Sequence, residues 1–323
     1  MRLSTLRELA VAAGLEVPSN DAELKQKFLV TEPMRDLESV LNKFLATQKV
    51  LTSEEILERI TYEVIEDACN EGIRILELRY APTFIQQGHE HLSFDQIHRA
   101  IERGRDRAKH LPIAVGFIAI IQRILPFKDA VRVTDFAIAN RGSFVALDLA
   151  DNEEGFDPAP FAPLFERAKK AGLHLTVHAG EANAPEAPGY VKTAIERLGA
   201  ERIGHGLQIQ HSQEIMEFVR ERNIPLELCP TSNWLTNAVS STKSHPFRKL
   251  MDFGIPVTIN TDDPGVFDID LLHEYELLRR EHGLTLAEFE RCNDTAAAAS
   301  FIPLEEKQKH WPRAIQKLGR SSR

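Results

Sequence analysis

Apolar positions in the first seventy residues recur with helical spacing. Leu6, Leu9, Ala10 and Ala13 share one face until Gly14 interrupts it, and Thr5-Leu6-Arg7-Glu8 reads as a capping box at its start. A second pattern covers 36–48, in which Leu37, Val40, Leu41 and Phe44 fall at i, i+3, i+4 and i+7. On spacing alone that stripe packs against a core. Residues 53–70 form a long amphipathic pattern that stops before Gly72. From residue 73 the period changes. Short runs rich in apolar and β-branched residues predict strands at 73–79, 113–121, 144–149, 173–178, 202–205, 225–229 and 257–261. Helical patterns lie between them at 94–109, 127–140, 160–171, 191–198, 212–222 and 246–253, and three more come after the last strand at 271–282, 286–299 and 304–318. Strand-then-helix alternation predicts an α/β chain with a parallel sheet covered by helices, and a (β/α)8 barrel of TIM type is its preferred closure. No linker or low-complexity segment interrupts the rhythm, so residues 1–323 read as one barrel domain. Such a barrel has eight strands, whereas seven are counted and the first element is a helix. A missed strand, an open sheet or a start beyond the first strand would each account for the difference.

Composition narrows the function more than the fold. The 323 residues carry a net charge of −9, and no Lys/Arg-rich stripe offers a footprint for nucleic acid. A small neutral ligand is not excluded by that charge. Cys69, Cys229 and Cys292 are odd in number and widely spaced, which argues against a disulfide framework or a zinc ribbon. No run approaches the ~18 apolar residues of a membrane span, and the first residues lack the apolar core of a signal peptide. A cytoplasmic protein without membrane partners is the expectation. Oligomeric state is left open.

The chemistry-bearing residues fall at one end of successive strands. The fourth strand ends in His178, with Glu181 just beyond; the fifth ends in His205 between Gly204 and Gly206. The sixth runs into Cys229-Pro230-Thr231-Ser232-Asn233, and the seventh ends in Asp262-Asp263-Pro264. In a parallel barrel these ends converge on the C-terminal mouth. Any one of the motifs reads equally well as a core histidine or a helix start. Together they supply two imidazoles and three carboxylates, a set able to hold a metal and move protons. From spacing, His178, His205 and Asp262 are the ligand candidates and Glu181 a proton shuttle. Cys229 has no partner arrangement for a nucleophile. His89-Glu90-His91 has metal-friendly spacing but sits in a polar loop after the first strand.

Four segments together resemble the adenosine deaminases: Thr176-Val177-His178-Ala179-Gly180-Glu181, Arg202-Ile203-Gly204-His205-Gly206, Leu228-Cys229-Pro230-Thr231-Ser232-Asn233 and Ile259-Asn260-Thr261-Asp262-Asp263-Pro264. Their order and spacing agree with that family. Leu76-Glu77-Leu78-Arg79-Tyr80-Ala81-Pro82 is similar to the second strand of its barrel. The resemblance implies zinc-dependent conversion of adenosine or 2'-deoxyadenosine to inosine or 2'-deoxyinosine and ammonia, on a small-molecule purine nucleoside. It implies that His178 and Asp262 are zinc ligands and that Glu181 protonates the purine N1. It gives His205 the role of orienting the attacking oxygen, outside the metal's ligands. Asp263 contacts the purine ring and helps place the water, and the stripe Leu37, Val40, Leu41, Phe44 falls where the family has an apolar lid. The Cys-rich signature of the zinc deaminases that act on bases in nucleic acid is absent.

Two departures qualify the resemblance. The family opens with a strand ending in His-x-His, which supplies two further zinc ligands, and nothing in this chain corresponds to it. The segment Met1-Arg2-Leu3-Ser4-Thr5-Leu6 is similar to the family's segment just after that motif. The expectation is therefore a barrel lacking its first strand, with poor zinc occupancy and impaired turnover. A start site placed too late is the favoured explanation, and a true pseudoenzyme the other. Secondly, Asp151 stands where the family has a glycine whose amide approaches the purine, which puts purine preference in question. An adenine or other 6-aminopurine deaminase, and a metal-free, non-catalytic nucleoside-binding barrel, are the rival readings.

Overall fold

The computed structural model describes residues 1–34 and 37–315, with the backbone alone for 37–39, 41 and 42. Seven parallel strands lie in chain order: β1 (Ile75–Tyr80), β2 (Ala114–Gln122), β3 (Phe144–Ala150), β4 (His174–Ala179), β5 (Arg202–His205), β6 (Leu226–Leu228) and β7 (Val257–Ile259). Every neighbouring pair is parallel, and the register sets Ala179 beside His205 and Leu228 beside Ile259. Among the described residues β1 and β7 each have one strand partner. The sheet is nevertheless strongly curled. In a flat sheet β1 and β6 would lie about 24 Å apart, yet Arg79 of β1 reaches Glu227 of β6 at 2.8 Å.

Alternation along the strands sorts the two faces. Leu147, Leu149, Val177, Ile203, Leu226, Leu228, Val257 and Ile259 point outward into the main apolar core beneath the covering helices. Glu77, Arg79, Asp148, Arg202 and Glu227 share the inner face, where they meet one another. Three buried free thiols, Cys69, Cys229 and Cys292, are scattered through the fold.

Four helices precede the sheet: α1 (Leu3–Ala12), α2 (Asp21–Phe28), α3 (Leu37–Gln48) and α4 (Glu54–Asn70). α4 begins at its Ser53 cap, as the amphipathic pattern predicts. The capping box expected at Thr5 does not form. α1 already starts at Leu3, and the Thr5 hydroxyl, turned toward α4, donates to the Glu63 carboxylate at 2.7 Å. α2 is not predicted by the pattern, although Asn20 caps it by accepting from the Glu23 amide. Short helices Pro82–Gln86, Pro230–Leu235 and Pro264–Phe267 are likewise additional to the predicted set. Each opens on a proline just after a strand, where the missing N–H costs nothing and the ring's φ suits the first turn. The pattern at 191–198 belongs to a longer element that begins at Ala187 and closes as a π turn, Ala194–Leu198. The pattern at 304–318 is helical only over Leu304–His310; Pro312 forces Trp311 out of the helical region. Residues 316–318 lie outside the described residues.

Candidate active site

β4 brings His178 to the mouth, and the turn after it brings Glu181. Gly180 makes that turn at φ +73, and a Cβ there would lie 2.6 Å from Val191. The turn is held from below by Glu153, whose buried carboxylate accepts from three consecutive amides: Gly180 (2.9 Å), Glu181 (2.6 Å) and Ala182 (2.6 Å). Buried Arg123 donates to the carbonyls of Leu149 (3.0 Å) and His178 and stitches the ends of β3 and β4 together. The sequence predicts a role for neither residue. Both come just after strand ends, but nothing in their spacing marks a main-chain clamp.

The His178 ring packs over Gly204 of β5, where a Cβ would come within 3.1 Å of it. Its Nδ1 donates to the fully buried Asp148 at 3.1 Å. From Asp148 an alternating chain of charges runs down the inner face: Arg79 at 2.9 Å, Glu227 at 2.8 Å from Arg79, Arg202 at 2.9 Å from Glu227, and Glu77 at 2.6 Å from Arg202. Burial works against the ionised forms of Asp148 and Glu227. Their cationic neighbours win and hold both carboxyls well below the usual range. Burial likewise opposes a charge on His178, but Asp148 outweighs it and raises the imidazole's pKa.

His205 lies at φ +61 at the end of β5, its ring centre 5.3 Å from that of His178. Its Nε2 faces Glu181 at 3.4 Å and Asp262 at 3.9 Å. Thr236 donates to the other Glu181 oxygen at 3.2 Å. Asp262, at φ +59 beyond β7, accepts from Ser232 at 2.7 Å. Asp263 comes next and starts the Pro264–Phe267 helix, its carbonyl accepting from Val266 at 2.9 Å. On the far side of His205, Nδ1 lies 3.1 Å from Asn233 Nδ2, and Asn233 Oδ1 lies 3.1 Å from His245 Nε2. Burial, reinforced by His282 and His205, pushes His245 down to about 3.

The structure therefore brings His178, Glu181, His205, Asp262 and Asp263 to one mouth. Ligand-type atoms of His205, Cys229 and Asp262 lie within 4.8 Å of one another, a trio that His178 does not join. Cys229 is a poor member of it, because burial raises its thiol well above the usual range and its S–H points to the Glu227 carbonyl. Asp151, at φ +83 just beyond β3, accepts from Gln122 at 2.9 Å and from the Asn152 amide at 2.7 Å. A glycine would take that φ freely, which agrees with the residue the resemblance leads one to expect there. Val40 and Phe44 of α3 pack on Phe267, with Leu235 nearby, on the helices that come after β7 and β6. The side chains of Leu37 and Leu41 lie outside the described residues. His89 and His91 turn to the carbonyls of Gln48 and Thr52, which ties their loop to the end of α3 and the segment after it.

A sequence model of the adenosine deaminase family matches residues 1–316. The chain belongs to the adenosine deaminase family. The adenosine deaminase of Serratia proteamaculans is 36% identical over 309 residues, 95% of this chain and 92% of that protein. Among solved structures, the adenine deaminase of Arthrobacter aurescens superposes with a TM-score of 0.86 at 25% identity, over 97% of this chain and 95% of that one. A zinc-bound amidohydrolase from Burkholderia ambifaria gives 0.85 at 26% identity, over 97% and 85%. This family member is accordingly a deaminase-type aminohydrolase built on the family's barrel fold, with seven parallel strands among the described residues. Among its described residues no helix is long and apolar enough to cross a membrane.

Proposed function

We propose that this chain hydrolyses the 6-amino group of adenosine or 2'-deoxyadenosine, giving the inosine product and ammonia. The observation that carries the reading is the convergence of Glu181, His205, Asp262 and His178 at the ends of β4, β5 and β7. Water adds at C6, the C6–N bond breaks, and a proton must reach the ring nitrogen beside C6 for the ring to accept the electron pair. Glu181 would deliver that proton, take one back from the added water and pass it to the amino group, which leaves as ammonia while the hydroxyl's remaining proton returns to the carboxylate. Asp263 would meet the purine edge and orient the water.

The donor set suits zinc in part. In its neutral form His178 spends the Nδ1 proton on Asp148 and keeps Nε2 as a lone pair, the arrangement usual for an imidazole ligand. Asp262 adds a carboxylate steadied by Ser232. Zinc, when bound, supplies the Lewis acidity that brings water's ionisation to about pH 7. Catalytic zinc takes ~three protein ligands, and residues 1–323 contain no strand ending in His-x-His, so two ligands should hold the metal weakly and turnover should be low.

Ammonia release from adenosine, 2'-deoxyadenosine, adenine and other 6-aminopurines, measured with and without added zinc, tests the reading. Slow, zinc-stimulated release that favours the nucleosides is expected. Preference for the free base would replace this reading with an adenine deaminase, a rival that Asp151 and the likeness to the Arthrobacter enzyme keep in view. No release from any compound at saturating zinc would leave a binding barrel. A full zinc complement on the chain as purified would overturn the two-ligand account.

A further inference from the structure

His205 sits at the end of a hydrogen-bonded chain whose direction is settled by one main-chain amide. The Phe247 N–H donates to His245 Nδ1 at 3.1 Å. A main-chain amide can only donate, so His245 Nδ1 is an acceptor. An imidazole has at most one acceptor nitrogen, so His245 Nε2 carries a proton and donates. Its partner 3.1 Å away must then be the carbonyl oxygen of Asn233, which leaves the Asn233 NH2 group facing His205 Nδ1 at 3.1 Å. That amide group also can only donate. His205 Nδ1 is therefore a lone pair, and the ring's proton lies on Nε2, toward Glu181 and Asp262. The opposite setting of the Asn233 amide would require two lone pairs on His245, an imidazolate. His245 and Asn233 are both buried, His245 is kept uncharged by its surroundings, and no water is needed to complete the chain.

From this geometry we infer that Asn233 and His245 are positioning residues that fix His205 as the Nε2–H tautomer, making it a hydrogen-bond donor toward the space that Glu181 and Asp262 face. His205 then has no lone pair to offer a metal, since Nδ1 is taken by Asn233 and Nε2 carries the proton, so it drops out of the trio with Cys229 and Asp262. It also cannot receive a proton at Nε2, so proton uptake at the mouth falls to a carboxylate. This second consequence rests on the proposed deaminase activity; the tautomer itself does not.

The test is two-bond 1H–15N correlation of the full chain labelled at its histidine ring nitrogens, with His205 signals identified by their loss in His205→Gln. The expected pattern has Nδ1 unprotonated and Nε2 protonated on both His205 and His245. In Asn233→Asp a carboxylate replaces the donor, and His205 Nδ1 should gain a proton and lose its lone-pair shift. A wild-type spectrum with His205 protonated at Nδ1 overturns the inference even if Asn233→Asp does not fold, and so does an unchanged His205 tautomer in Asn233→Asp. The spectrum needs no turnover, so a failure of ammonia release would refute the proposed activity while leaving the tautomer to stand or fall separately.

Discussion

Two imidazoles with ring centres 5.3 Å apart share one mouth, and they are tied down by opposite chemistry. Behind His178 stands a column of full charges, Asp148, Arg79, Glu227, Arg202 and Glu77. Behind His205 stands a column of neutral groups, Asn233, His245 and the amide of Phe247. A carboxylate draws the proton to Nδ1 and bares Nε2; an amide donor takes the Nδ1 lone pair and leaves the proton on Nε2. On the proposed reading, one ring is prepared to be a ligand and its neighbour a donor. The rings are the same, and the residue directly behind each decides what it does.

The most damaging way to break the charged column is at the cation that joins its two buried carboxylates, Asp148 and Glu227. Arg79→Met leaves Asp148 and Glu227 without their shared cation, and a loss of about 3–5 kcal/mol in denaturant unfolding is expected. A loss under about 1 kcal/mol would mean that the column is not a coupled unit. The neutral column has a different weakness, because its outermost support titrates. Glu274, fully buried, accepts from the Thr231 amide and so caps the helix that carries Ser232 and Asn233. Burial pushes its carboxyl up to about 7. The folded chain thus keeps a proton that the unfolded chain releases from about pH 4.5 upward. The stability gained is complete below that pH and disappears as pH rises through 7, an effect of about 3 kcal/mol. Glu274→Gln keeps an oxygen for the Thr231 amide and should flatten this part of the pH profile; an unchanged slope between pH 5 and 8 would count against it.

A smaller effect separates the two columns directly. Asp148→Asn should weaken zinc binding by about 10–100-fold, because His178 loses the partner that orients it. Asn233→Ala should leave zinc affinity where it was. Competition with a chromogenic chelator reads both, and equal losses would erase the distinction between the two rings. The smallest effect belongs to Asp151, which serves neither column. Asp151→Gly relieves a positive φ but surrenders the Gln122 bond, so thermal unfolding should show a net change below about 1 kcal/mol.

The strands are legible in the sequence because runs such as 144–149 and 202–205 combine β-branched and apolar residues between clear stops, and all seven fall within two residues of their predicted ends. The residues at the mouth are legible for a related reason: His178, His205 and Asp262 each end a recognisable run. Their supports are not. Asp148 and Glu227 look like ordinary interruptions of apolar strands, and only the curl of the sheet reveals that they meet Arg79. His245 lies forty residues from His205 in the chain and reaches it through Asn233, a contact no local pattern encodes. Thr5 fails as a cap because a buried carboxylate on α4 competes for its hydroxyl, a tertiary contact overriding a local motif.

The three buried thiols turn the molecule into its own clock. A cysteine shut away from solvent reacts with an alkylating reagent only when its surroundings open, so each modification rate measures a local opening free energy. Cys229 sits beneath the mouth at the start of the helix bearing Ser232 and Asn233, Cys69 near the end of α4, and Cys292 in the helix Leu286–Ala299. Timed alkylation and mass mapping would therefore rank the breathing of the reactive rim against that of two parts of the scaffold in one native sample, with no engineered probe.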